Sequence, residues 1–130
     1  MITKEIISQD IIAEVVSSYF NISIFDMFKK CRRTKNVNAR YVFIFLSRKF
    51  TKDSLNDIAD YITKKGFRTE GYDHASVIHG FNKMSGYIDT YLETRELIRT
   101  LSFILKEKKA KSIVVSDVDL LISAKLQTNI

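Results

Sequence analysis

Residues 72–84 read YDHASVIHGFNKM, and the fold turns on how they are read. Val77, Ile78, Phe81 and Met84 recur at helical spacing, which puts Asp73, His74 and Ser76 on the first turn of a helix shown end-on to a partner. Upstream, residues 54–64 (SLNDIADYITK) form a second amphipathic segment, and a stretch carrying Gly66 and Gly71 joins the two. Two short helices joined in this way, the second led by polar residues, describe a helix-turn-helix.

On the first of these helices Leu55, Ile58 and Ile62 face the core with Tyr61 beside them, and either Thr51 or Ser54 can cap its start. The connection, residues 63–71 (TKKGFRTEG), is long for such a turn and basic through Lys64, Lys65 and Arg68. It reads as a surface loop, with an arm reaching the partner as the alternative. Residues 38–50 (NARYVFIFLSRKF) contain six consecutive apolar residues, a run that fits a buried strand or a buried central helix equally well by periodicity. Helix is the better reading, because Asn38 can cap it, residues 47–49 extend it to about three turns, and no second strand lies nearby to pair with.

Residues 6–20 put Ile7, Ile11, Ile12, Val15, Val16, Tyr19 and Phe20 on one stripe of a first helix. Residues 24–30 make a short second helix with Ile24, Met27 and Phe28 inward and Asp26 close to the basic side chains that follow. Beyond Met84, Ser85 and Gly86 relax the helix, and residues 91–109 resume it with Tyr91, Leu92, Ile98, Leu101, Ile104 and Leu105 as the stripe that closes the bundle. In the tail, residues 112–115 read as extended. Ser116 and Asp119 then form a capping pair ahead of Val118, Leu121, Ile122 and Leu126, which predicts a short amphipathic helix packed on its own domain or on another protein. The expected class is all-α, a helical bundle in one domain over residues 1–109 with a C-terminal extension over residues 110–130.

The totals agree with one compact helical domain. A chain of 130 residues with 45% apolar and 12% aromatic content and no proline can bury roughly two-thirds of its unfolded surface. The net charge is +6, and residues 29–40 (KKCRRTKNVNAR) hold six basic residues and no acidic one. Such a run is either a solubilising face or a site for a polyanion, held by phosphate contacts and counterion release. Cys31 is the only cysteine, which leaves no internal disulfide and no thiolate metal cluster and fits a cytoplasmic setting. The charged N-terminus lacks a signal-peptide core, and the apolar run 41–46 is too short to span a bilayer, so no membrane partner is expected. No Gly-rich phosphate loop followed by Lys-Ser or Lys-Thr occurs, and nothing assembles into a nucleophilic or two-carboxylate site. The expectation is therefore a non-enzyme with no catalytic residue, metal or cofactor.

Over about residues 11–105 the chain resembles the C-terminal DNA-binding domain of the bacterial replication initiator DnaA, a helical domain with a helix-turn-helix similar to that of the Trp repressor. YDHASVIHGFNKM resembles that family's Asp-His-Thr-Thr-Val-Leu-His signature with a basic residue near its end, through Asp73, His74, Ser76, Val77, Ile78, His79 and Lys83. SYFNISIFDMF, the basic run before Ala39 and Arg40, FTKDSLNDIA and LIRTL match in the same order. The resemblance implies binding of double-stranded DNA, with the signature helix in the major groove and an arginine of the basic loop in the adjacent minor groove. By position, Asp73, His74, Ala75 and Ser76 would face the bases. Arg32, Arg33, Lys35, Arg40, Lys52, Ser54, Tyr72, His79 and Lys83 would lie on the backbone or in the minor groove. The chemistry suits this, since Asp accepts from a cytosine amino group and a methyl or imidazole edge meets the thymine methyl.

Three positions depart from the family pattern. Ala75 stands where a threonine is usual, Tyr72 where an arginine is usual, and Thr34 where the minor-groove arginine would fall. They carry duplex binding over more fully than recognition of the family's own origin box. The family's ATPase module has no counterpart in this sequence, and the alternative function is a structural or protein-interaction module that kept the fold but not DNA reading, with residues 112–130 and the exposed end of the helix that starts at Tyr72 as its surface.

Overall fold

The structure is a computed structural model that describes residues 7–109, all-helical with no strand among the described residues. The helices are α1 (Gln9–Phe20), α2 (Ile24–Phe28), α3 (Thr34–Phe50), α4 (Leu55–Lys65) and α5 (His74–Thr90), followed by α6 (residues 92–109). The readings of residues 112–126 and the boundary at residue 110 lie outside the described residues. Among the described residues no helix is long and apolar enough to cross a membrane.

Local chemistry sets most of the helix starts. Ser8, Ser23, Ser54 and Asp73 each accept a hydrogen bond from the backbone N–H three residues on, at Ile11, Asp26, Asp57 and Ser76, satisfying donors the helix itself leaves free. At α4 the cap is reciprocal, with Asp57 returning a bond to the Ser54 N–H. Thr51 instead bridges the end of α3, its hydroxyl donating to the Ser47 carbonyl and accepting from the Asp53 N–H. After α1, Asn21 takes the left-handed conformation (φ 58°) that ends the helix.

The apolar run 41–46 is a buried central helix, since Val42, Phe43, Ile44 and Leu46 have no exposed surface. Against α3 pack α1, α2 and α5. The Phe28 ring meets Phe43 edge-on at 4.7 Å, and Tyr61 stacks on Phe43 at 5.5 Å. Tyr61 also donates to Asp10 at 2.5 Å, tying α4 to α1, and burial together with that carboxylate raises its pKa. Where α5 crosses α3, Gly80 is buried, and a Cβ there would come within 2.8 Å of the Ile44 side chain and 2.9 Å of Tyr41. A side chain at residue 80 would require Ile44 or Tyr41 to shift.

Several boundaries and faces differ from the sequence reading. Helix α3 begins at Thr34, not at Asn38, and its N-cap is Arg33, which makes no side-chain cap bond. What holds the extra turn is tertiary: buried Asn36 donates from Nδ2 to the Asp26 carbonyl at 2.9 Å. Helix α5 runs through Ser85 and Gly86 to Thr90, because half-buried Tyr87 and Ile88 prolong its apolar face, and a glycine inside a helix costs only about 1 kcal/mol. Helix α2 stops at Phe28. Tyr19, Tyr91 and Leu92, counted on inward stripes, are 54%, 52% and 61% exposed, each at a helix end where the stripe has passed beyond its partner.

Candidate nucleic-acid interface

Helices α4 and α5 form the helix-turn-helix, and the turn between them is pinned rather than loose. Gly66 is buried against the end of α2, where a Cβ would lie 2.4 Å from the Phe28 carbonyl oxygen. Phe67 then takes the left-handed conformation at φ 47°, the position a glycine usually occupies after a helix. Two neighbouring sites each suit glycine, and the close approach has it. Arg68 follows and donates from Nε to the Phe28 carbonyl at 2.7 Å and from Nη2 to that of Lys29 at 3.3 Å. An exposed Lys30–Glu70 pair at 3.0 Å adds a weak tie. Tyr72 donates its N–H to the Thr63 hydroxyl at 2.7 Å, and its ring lies 4.7 Å beneath the Arg68 guanidinium.

Arg40 reaches the same stretch of backbone and shares the Lys29 carbonyl with Arg68. It is 5% exposed, and its guanidinium donates to Met27, Lys29 and Cys31 at 3.1, 3.0 and 3.4 Å. Arg40, expected on phosphate or in the minor groove, has these donors engaged at the end of α2, where helix carbonyls favour a cation. Arg68 works beside it, and burial, then repulsion from Arg40, lower its pKa. Tyr72 is half-buried, with its phenol pKa raised by that burial. The sequence reading missed Arg68, Asn36 and Gly66, because one sequence does not separate an arginine that grips carbonyls from one that faces solvent. The only cue was Gly66 followed by a bulky residue where the turn needs a left-handed one.

On the outer side of this seam Arg32, Arg33 and Lys35 are exposed, with Arg33 and Lys35 bracketing the start of α3. That start has no acidic residue and no side-chain cap, so its first-turn N–H groups and the helix dipole favour an anion from outside. Across the seam is the start of α5. Asp73 caps it, its Oδ1 accepting from the Ser76 N–H at 2.9 Å, and these bonds from Ser76 hold its carboxyl below the usual carboxylate value. His74 and Ala75 are exposed on the first turn and Ser76 is half-buried beside them. One turn on, exposed His79 sets its ring edge-on to Tyr41 at 6.0 Å, and Lys83 is exposed. Lys52 is exposed before α4, and the Ser54 hydroxyl is already engaged as a cap.

Among the described residues no group of three or more His, Cys, Asp or Glu side chains could hold a metal ion. What the seam does assemble is two helix starts, one basic and uncapped, one polar and exposed, with the basic loop between them braced by two arginines. A family model described as the bacterial dnaA protein helix-turn-helix matches residues 9–84, a span that takes in both helix starts and the seam.

Proposed function

Since the chain belongs to the bacterial DnaA protein helix-turn-helix family, whose domain binds double-stranded DNA, we propose that it reads duplex DNA with the start of α5 and grips the backbone with the basic loop. Asp73, His74, Ala75 and Ser76 approach base edges in the major groove, with the free oxygen of Asp73 as the acceptor for a cytosine amino group. Arg32, Arg33 and Lys35, together with the N–H groups opening α3, take phosphates or the adjacent minor groove. Lys52, Lys83 and His79 flank the same backbone.

The observation that carries this reading is the shared anchor, in which Arg40 and Arg68 bind the same run of carbonyls from Met27 to Cys31. It supports a fixed spacing between the basic loop and the reading helix, which a rigid duplex demands of any protein that touches two of its grooves at once. With Ala75 and Tyr72 in place of the family's threonine and arginine, the preferred site differs from the standard origin box. The role that follows is occupation of a duplex site related to, but not identical with, that of the replication initiator.

Selection of bound sequences from a random duplex library tests this directly. One enriched asymmetric site is expected, and His74→Ala with Ser76→Ala should relax preference at two or three adjacent positions within it. If about six phosphates are engaged, the logarithm of affinity falls with the logarithm of salt at a slope of roughly −5. Binding that is flat with salt and enriches no sequence would sink the proposal.

A further inference from the structure

Away from the helix-turn-helix, a groove of about 440 Å³ runs along α6. Its floor is apolar, made by Phe45, Ile88, Ile98 and Phe103, and its rim carries Lys49, Arg95, Lys106 and Arg99, the last paired with Glu96 at 3.1 Å. Phe103 is 62% exposed at its edge. The groove lies at the far end of α3 from the basic loop, since Lys35 and Lys49 are about 21 Å apart along a helix of that length. A cationic rim alone would suit phosphates. An apolar floor does not, because nucleic-acid backbones offer it nothing to bury, and a peptide with apolar and acidic faces fits both.

The chain itself has such a segment. Residues 116–126 read SDVDLLISAKL, with Asp117 and Asp119 ahead of any basic residue and Val118, Leu121, Ile122 and Leu126 at helical spacing. From the charge complementarity and the length of chain that follows Lys109, we infer that residues 116–126 fold back antiparallel to α6 and fill this groove. The lengths agree. As a helix the segment spans about 15 Å, Arg95 to Lys106 span about 16 Å, and six residues are an ordinary link between antiparallel helices. In that register Ile122 comes over Phe103 and Asp119 comes beside Lys106. A second groove, of about 360 Å³, flanks the opposite side of α6, but its lining holds one carboxylate, Glu14, and one ammonium, Lys108, and so offers an acidic segment no net attraction.

The test uses the full chain with Cys31→Ser, Phe103→Cys and Ile122→Cys, treated with a short bismaleimide at low protein concentration. Phe103 is exposed, so its replacement leaves the central core of the bundle intact. The expected product is a chain linked to itself, with no covalent dimer. In parallel, hydrogen exchange of the unaltered chain should show amides of residues 116–126 protected at least tenfold. Phe103→Asp should abolish that protection, and Lys106→Glu should weaken it until Asp119→Lys is added. Links only between chains would show that a second copy covers the groove, and unprotected amides would show that the tail does not cover it; either result overturns the inference. Neither readout involves DNA, so failure here is separate from failure of the DNA-binding reading.

Discussion

Two sets of arginines meet around the end of α2 and do opposite work. Arg40, in the second turn of α3, and Arg68, in the turn after α4, point inward and donate to the carbonyls that end α2. Arg32 and Arg33, on the loop those carbonyls lead into, point outward with no carboxylate partner among the described residues. The first set fixes where the second set stands. Charge density along residues 29–40 is therefore a poor guide to which cations meet a partner, and burial with its hydrogen bonds is the better one.

The contrast can be broken most severely at Arg40. Arg40→Ala takes the donor from the Met27 and Cys31 carbonyls, leaves that of Lys29 to Arg68 alone and removes a buried side chain, so stability should fall by about 3 kcal/mol, read as a lower denaturation midpoint. Where the variant is still folded, the salt slope of DNA binding should be unchanged. Retained stability with a shallower slope would reverse the assignment. Arg68→Ala gives up a half-buried anchor and should cost about 2 kcal/mol; it should also impair sequence discrimination, because the spacing between loop and reading helix is then looser.

The double change Arg32→Ala with Arg33→Ala should leave stability within about 0.5 kcal/mol and reduce the magnitude of the salt slope by about 2, weakening all DNA sequences alike. The smallest effect is one of pH. The bonds from Ser76 depress the Asp73 pKa, so its contribution to α5 is present above the unfolded carboxylate value and is lost as pH falls through the lower folded value. Amide exchange at Ser76 should accelerate only in that acid window, and Asp73→Asn should remove most of the dependence.

The order of the helices and the polar start of the reading helix were legible, because apolar spacing and capping residues are local signals. Ser54 and the spacing of Leu55, Ile58 and Ile62 announced α4, and six apolar residues in a row could only be buried. The early start of α3 was hidden, since Thr34 to Val37 carry no apolar stripe and are held by Asn36 reaching back to α2. The anchoring by Arg40 was hidden for the same reason: its acceptors are backbone carbonyls, which leave no trace in composition. Gly86 looked like the break and Gly80 went unremarked, yet Gly86 faces open space while Gly80 sits against Ile44 and Tyr41. A glycine's neighbours across the fold, rather than along the chain, decide what it is for.

Gly80 makes α5 a lever with its fulcrum at the crossing on α3. The reading end, at His74, lies about 9 Å away along the axis, so a tilt of about 10° at the crossing moves that end by about 1.5 Å. That is enough to take a side chain out of hydrogen-bond reach of a base edge. A methyl group placed at residue 80 would touch no DNA, and it would re-aim the helix to the extent that Ile44 and Tyr41 do not give way.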